Sequence, residues 1–104
     1  EEASKSGCRP DQTLTLCLEV AALPGLRLRG LMAIPAPPVP GADAQAPFRA
    51  LRLLFEQIRA QGLSLDTISA GMSDDLEAAI AQGSTLVRVG SAIFGTRPQK
   101  ASPP

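Results

Sequence analysis

The sequence predicts an α/β protein built on three parallel strands with helices between them. Two observations carry the prediction. Helix-period and strand-like apolar runs alternate along the chain in the order αβαβαβ, and turns rich in glycine and serine follow the last two strands. A third observation agrees with them: Leu31–Ile34, LMAI, is wholly apolar, as parallel strands covered on both faces tend to be. The spacing places helices near 10–22, 46–61 and 74–82 and strands near 28–34, 66–69 and 86–89, consecutive in the sheet and joined by right-handed crossovers.

Each element has a local cause. Residues 1–7 are polar and read as a loop. Pro10 suits a first helical position, and Leu14, Cys17, Leu18 and Ala21 follow at i, i+3, i+4 and i+7 until Pro24 and Gly25 stop the helix. After the strand ending at Ile34, residues 35–47 hold five prolines and exclude both helix and sheet interior. Pro47 opens the longest helix, with Phe48, Leu51, Leu54, Phe55 and Ile58 as its apolar stripe, Arg49, Arg52, Glu56 and Arg59 on a solvated face, and Gly62 at its end. Leu65–Ser69 is a short strand that Gly71, Met72 and Ser73 turn out of the sheet. Ser73 or Asp74 can cap the next helix, whose first turn carries Asp74, Asp75 and Glu77 as the helix dipole prefers. Leu76, Ala79 and Ile80 give that helix one apolar face, and Gly83 stands where a left-handed terminator belongs. Leu86–Val89 is the last strand. Gly90 and Ser91 form a second turn into a short helical segment, Ala92, Ile93 and Phe94. After Arg97 the tail lacks apolar periodicity, so 1–97 is expected to form one unit and 98–104 a disordered tail.

Composition narrows the chemistry. A chain of 104 residues with 44% hydrophobic content fits one globular unit, and ten basic against ten acidic residues leave no nucleic-acid or anionic-membrane footprint. No apolar run approaches the ~20 residues of a membrane span. With no histidine, Ser-His-Asp and Cys-His catalysis are excluded, and two cysteines are too few for a four-ligand zinc site. Cys17 lies on the apolar face of its helix and is expected to be a buried, reduced thiol.

The turns at the strand ends offer a candidate anion site. In parallel sheets ligands gather outside the carboxyl ends of the strands, so the Met72–Ser73 and Gly90–Ser91 turns should share one end, with Arg88 on the strand between them. Serine hydroxyls, glycine amides open to close approach and one guanidinium suit a phosphate. A Gly-Ser turn and an arginine reaching solvent at a strand end would read the same way.

The run SAGMSDDLEAAIAQGSTLVRVGSAIFGTR, together with SKSG at Ser4–Gly7 and LRLRGLMAIPAP at Leu26–Pro37, resembles the C-terminal part of the pyridoxal phosphate homeostasis proteins, also called the YggS or proline synthase co-transcribed family. The three motifs occur in series and cover nearly the whole chain. The resemblance implies the C-terminal portion of a (β/α)8 barrel like the N-terminal domain of alanine racemase, with pyridoxal 5'-phosphate (PLP) at its mouth. It places Ser73, Gly90 and Ser91 on the phosphate and Met72 along the mouth. Arg88 falls near the pyridine nitrogen, with the phosphate as an equally satisfactory alternative, and Lys5 near the entrance, where it would attract an anionic vitamer.

The resemblance further implies a non-enzymatic, cytoplasmic carrier and buffer of PLP that passes the cofactor to PLP-dependent apoenzymes, monomeric at full length. The lysine that forms the Schiff base in the family belongs to a barrel strand this chain does not contain. A racemase-type PLP enzyme and a truncated fragment that binds no PLP are the alternatives. Amino-acid turnover separates the enzyme from the carrier, and PLP absorbance separates both from the fragment.

Overall fold

Proline and glycine set the boundaries of nearly every element. The computed structural model describes residues 7–36 and 39–95; the expected opening loop with Lys5 and the expected tail 98–104 lie outside the described residues. Pro10 sits at the start of α1 (Pro10–Ala21), where its missing N–H costs nothing. Strand β1 is Gly30–Met32, and α2 runs Ala46–Ala60 with Pro47 in its first turn. Then come β2 (Thr67–Met72), α3 (Leu76–Ala81), β3 (Leu86–Arg88) and the single turn α4 (Ser91–Phe94). Gly62 and Gly83 both follow a helix with positive φ, +98° and +95°, the left-handed geometry that ends a helix most easily in glycine.

The three strands form one parallel sheet in the order β1-β2-β3. Consecutive parallel strands with helical connections are the architecture of one part of a (β/α)8 barrel. Gly30 lies opposite Thr67, and a side chain there would collide with the Thr67 carbonyl, so the close approach of β1 to β2 requires glycine. Between β2 and β3 the register slips: Ser69 pairs with Leu86, but Met72 pairs with Arg88. The extra residue is absorbed around Gly71, whose φ of +105° only glycine adopts without strain.

The core lies on one face of the sheet. Cys17 of α1, Phe48, Phe55 and Ile58 of α2, Leu65 just before β2, Ile68 and Ala70 on β2 and Ala79 of α3 are all buried, with Leu14, Leu28, Leu31, Leu51, Leu54 and Leu63 packed around them. Thr13 is buried with them and satisfied: its hydroxyl donates to the Arg9 carbonyl at 2.9 Å. On the opposite face Met32, Ser69 and Leu86 stand in line across the strands, and Met32 is 65% exposed. The LMAI run is therefore not covered on both faces, and the strand expected over 28–34 contracts to three residues. An edge strand with one bare face has few partners to extend its ladder.

Two further expectations are corrected. Gly71 and Met72 belong to β2 rather than to a turn after it, because the slip at Gly71 lets the ladder resume at Met72. Helix α3 begins at Leu76 rather than 74, and neither Ser73 nor Asp74 caps it; Asp75 holds the cap position with its side chain turned back toward β2. The charged face of α2 is solvated as expected, with its side chains paired: Arg52 and Arg59 both reach Glu56, Arg49 reaches Asp43, and Arg52 and Arg59 lie over the Phe55 ring.

Candidate functional site

All three strands point their carboxyl ends the same way, and the polar residues at those ends converge. Beyond β1, the Ala33 amide donates to the Ser69 carbonyl at 3.1 Å, which holds the chain beside β2 for one residue past its strand. The Ala33 carbonyl in turn accepts a 3.3 Å hydrogen bond from an Arg88 terminal nitrogen. Arg88 thus reaches across the end of β2 from the last strand to the first. Its Nε is buried and has no hydrogen-bond partner among the described residues. A buried guanidinium N–H without an acceptor is costly unless a ligand supplies one.

Residues 72–75 form a closed turn. The Met72 amide donates to Asp75 Oδ1 at 2.7 Å, and the Asp75 amide donates back to the Met72 carbonyl at 3.1 Å. Inside this turn Ser73 reaches across to the loop after β3, where its hydroxyl oxygen accepts the Ala92 amide at 3.0 Å. Its own proton has no acceptor among the described residues and is free for one on a ligand. Met72, at the end of β2, is 45% exposed. Gly90 precedes α4, and its carbonyl accepts the Ile93 and Phe94 amides. A Cβ built on Gly90 meets nothing within 4 Å, and its φ of −113° is open to any residue. The chain itself does not demand glycine there; what glycine leaves is open space beside Ser91.

The structure therefore brings Met72, Ser73, Arg88, Gly90 and Ser91 to one end of the sheet, while Lys5 lies outside the described residues. Two contributors escaped the sequence reading. Asp75 carried a signal, since an aspartate three residues beyond a strand end often bonds backwards to the main chain. The Ala33 carbonyl carried none, because any residue can offer one. Support below the mouth comes from Ser84 and Thr85: the Ser84 hydroxyl lies within 2.6 Å of the Ala70 carbonyl, and Thr85 exchanges bonds with Ile68. Of the cysteines, Cys8 is exposed and Cys17 buried, both as free thiols, and burial pushes the Cys17 thiol above its usual pKa, with Cys8 adding to the effect.

No group of three or more His, Cys, Asp or Glu able to hold a metal occurs among the described residues, and no helix there is long and apolar enough to cross a membrane. A parallel sheet whose polar residues gather at its carboxyl end is the arrangement of one part of an α/β barrel, the end at which ligands collect in such folds. The family model described as alanine racemase, N-terminal domain, matches residues 2–98, and the chain belongs to that family. Among individual proteins it is similar to the pyridoxal phosphate homeostasis protein of Pseudomonas aeruginosa, 55% identical over 96 residues that make up 92% of this chain and 40% of the relative. The protein of the same name from Escherichia coli strain K12 is 50% identical over 97 residues, 93% of this chain and 42% of the relative. The chain thus spans about two-fifths of the length of these relatives. Of solved structures, PipY of Synechococcus elongatus PCC7942 with PLP bound is similar at TM-score 0.79 and 31% identity, over 91% of this chain and 46% of that one. A protein of unknown function from Bifidobacterium adolescentis is similar at TM-score 0.78 and 40% identity, over 89% and 38%.

Proposed function

We propose that this chain supplies part of a PLP-binding site in a protein that carries and buffers the cofactor and passes it to PLP-dependent apoenzymes in the cytoplasm. The observation that carries the proposal is the buried Nε of Arg88, unpaired among the described residues and set between two loops whose donors suit a phosphate. The relatives named for pyridoxal phosphate homeostasis, and PipY with PLP bound, support the same reading.

In this reading Ser73 donates its free hydroxyl proton to a phosphate oxygen, Ser91 adds a second hydroxyl, and the space at Gly90 admits the phosphate close to the backbone. Met72 covers one side of the mouth. Arg88, anchored through a terminal nitrogen on the Ala33 carbonyl, would offer Nε to the pyridine nitrogen. PLP, when bound, supplies a reactive aldehyde and an electron-withdrawing ring. A guanidinium keeps its own proton, so Arg88 beside the ring nitrogen would not protonate it, and the ring would be a weak electron sink suited to holding the cofactor rather than turning substrates over. The sequence contains neither His nor Tyr to act as acid or base at this mouth.

The test is a titration of the chain with PLP and, separately, with inorganic phosphate, against Arg88→Gln and Ser73→Ala. Ser73→Ala should weaken both ligands, and Arg88→Gln should weaken PLP about tenfold, or about 1.4 kcal/mol, with little effect on phosphate. Equal losses of both ligands in Arg88→Gln would move the guanidinium to the phosphate. No saturable binding of either ligand by the unsubstituted chain would sink the proposal.

A further inference from the structure

We infer that Asp75 is a positioning residue for the phosphate loops: by accepting the Met72 amide it sets Ser73 where the serine hydroxyl ties the loop after β2 to the loop after β3. The inference rests on the PLP reading above and extends it to a residue that does not itself touch the ligand.

The geometry is a relay of three contacts. Asp75 Oδ1 accepts the Met72 N–H at 2.7 Å, shorter than the Ser73 and Arg88 bonds at this end of the sheet, and a charged acceptor makes such a bond strong. The Asp75 N–H returns a bond to the Met72 carbonyl, so both main-chain groups of the last β2 residue are held by one aspartate. Ser73 lies inside this two-bond ring, and its hydroxyl accepts the Ala92 N–H across nineteen residues of sequence.

Asp75 also departs from what its place would predict. It stands at the N-cap of α3, where an aspartate ordinarily bonds the helix's own free amides, yet its side chain makes no such capping bond. The Ala79 amide reaches only its carbonyl. The carboxylate is committed to β2 instead. Its neighbour Asp74 is exposed and makes no side-chain hydrogen bond among the described residues, so the pair separates the effect of an acceptor from the effect of a nearby charge.

The experiment is amide hydrogen exchange by NMR on the full chain, alongside PLP titration, for Asp75→Ala, Asp75→Asn, Asp74→Ala and Ser73→Ala. In Asp75→Ala, the Met72 and Ala92 amides should exchange about tenfold faster or more, while the Thr85 amide, bonded to the Ile68 carbonyl, keeps its protection. PLP affinity should fall by about the same factor as in Ser73→Ala, and the double variant should bind no worse than Ser73→Ala alone, because the two residues act through one contact. Asp75→Asn, which keeps an acceptor oxygen, should recover most of both, and Asp74→Ala should change neither. If Asp75→Ala also loses Thr85 protection, Asp75→Asn carries the test: Met72 and Ala92 must then respond together.

Faster Met72 exchange with Ala92 and PLP affinity unchanged would overturn the positioning role and leave Ser73 on the phosphate. An unsubstituted chain that binds no PLP would overturn the site reading and this inference with it.

Discussion

At the scale of single residues, environment separates groups of the same type. Cys8 is exposed and Cys17 is 4% exposed with its thiol pushed up by burial, so the two should differ sharply toward an alkylating reagent, which attacks the thiolate. Iodoacetamide at pH 8 should label Cys8 first and reach Cys17 only at the rate of opening, a difference of about a hundredfold or more by mass spectrometry; equal rates would place Cys17 at the surface. Asp66 offers a second comparison. Its carboxylate accepts two bonds from Arg29 and one from Thr67, and these hold it below the usual carboxylate pKa. A lowered folded value means stability that is present above the ordinary carboxylate pKa and lost as pH falls through the lowered one. Asp66→Asn should therefore be less stable than the parent at neutral pH by a small margin, as befits an exposed pair, and the margin should close below about pH 4. Thermal melts at several pH values read it directly, and a margin that widens in acid would contradict it.

At the scale of elements, the slip between β2 and β3 shapes the mouth. Gly71 combines a φ of +105° with no room: an added Cβ would stand 2.9 Å from the Ala79 Cβ, 3.2 Å from Val87 Cγ1 and 3.3 Å from the Leu76 Cα. Gly71→Ala should cost about 3 kcal/mol from strain and overpacking together, measured by denaturant unfolding. Gly90→Ala, with open space around it and an ordinary φ, should cost well under 1 kcal/mol in the same assay. A Gly71→Ala variant as stable as the parent would remove the bulge argument. The same comparison shows how far sequence alone reaches. The amphipathic stripe of α2, the terminators Gly62 and Gly83 and the parallel order of three strands were legible because periodicity and turn chemistry are local. The bulge was not: Gly71 looks like a strand terminator until the partner strand shows that the ladder resumes at Met72. The start of α3 was missed for a related reason, since Asp75 spends its carboxylate on β2, and which amide an aspartate serves depends on neighbours that sequence does not bring together. At the mouth, Arg88 could be placed at a strand end by alternation, but its tie to the Ala33 carbonyl could not, because any residue carries that acceptor.

At the scale of the whole molecule, the sheet is covered on one face and bare on the other. Met32, Leu86 and Met72 are all about half exposed or more, and β1 and β3 each have a free edge among the described residues. The chain holds two lysines, Lys5 and Lys100, and neither lies among the described residues of the mouth. A covalent link to PLP requires an amine fixed beside the aldehyde with a lowered pKa. Treating the chain with PLP and then borohydride should accordingly give scattered labelling at well below one equivalent, read by peptide mass spectrometry. A single stoichiometric adduct at Lys5 would show that this chain fixes the cofactor by itself.

The bond from Arg88 to Ala33 has a further meaning when read in time. Asp75 closes on Met72 over three residues of chain, whereas Arg88 closes on Ala33 over fifty-five. Short loops meet in roughly 10–100 ns, but the long closure must wait until β1, β2 and β3 lie side by side. By chain separation alone the Asp75–Met72 turn is expected to close before the arginine does. Arg88 can reach its anchor only when the sheet is complete, so in the proposed reading a cofactor held by Arg88 would select chains that have finished folding.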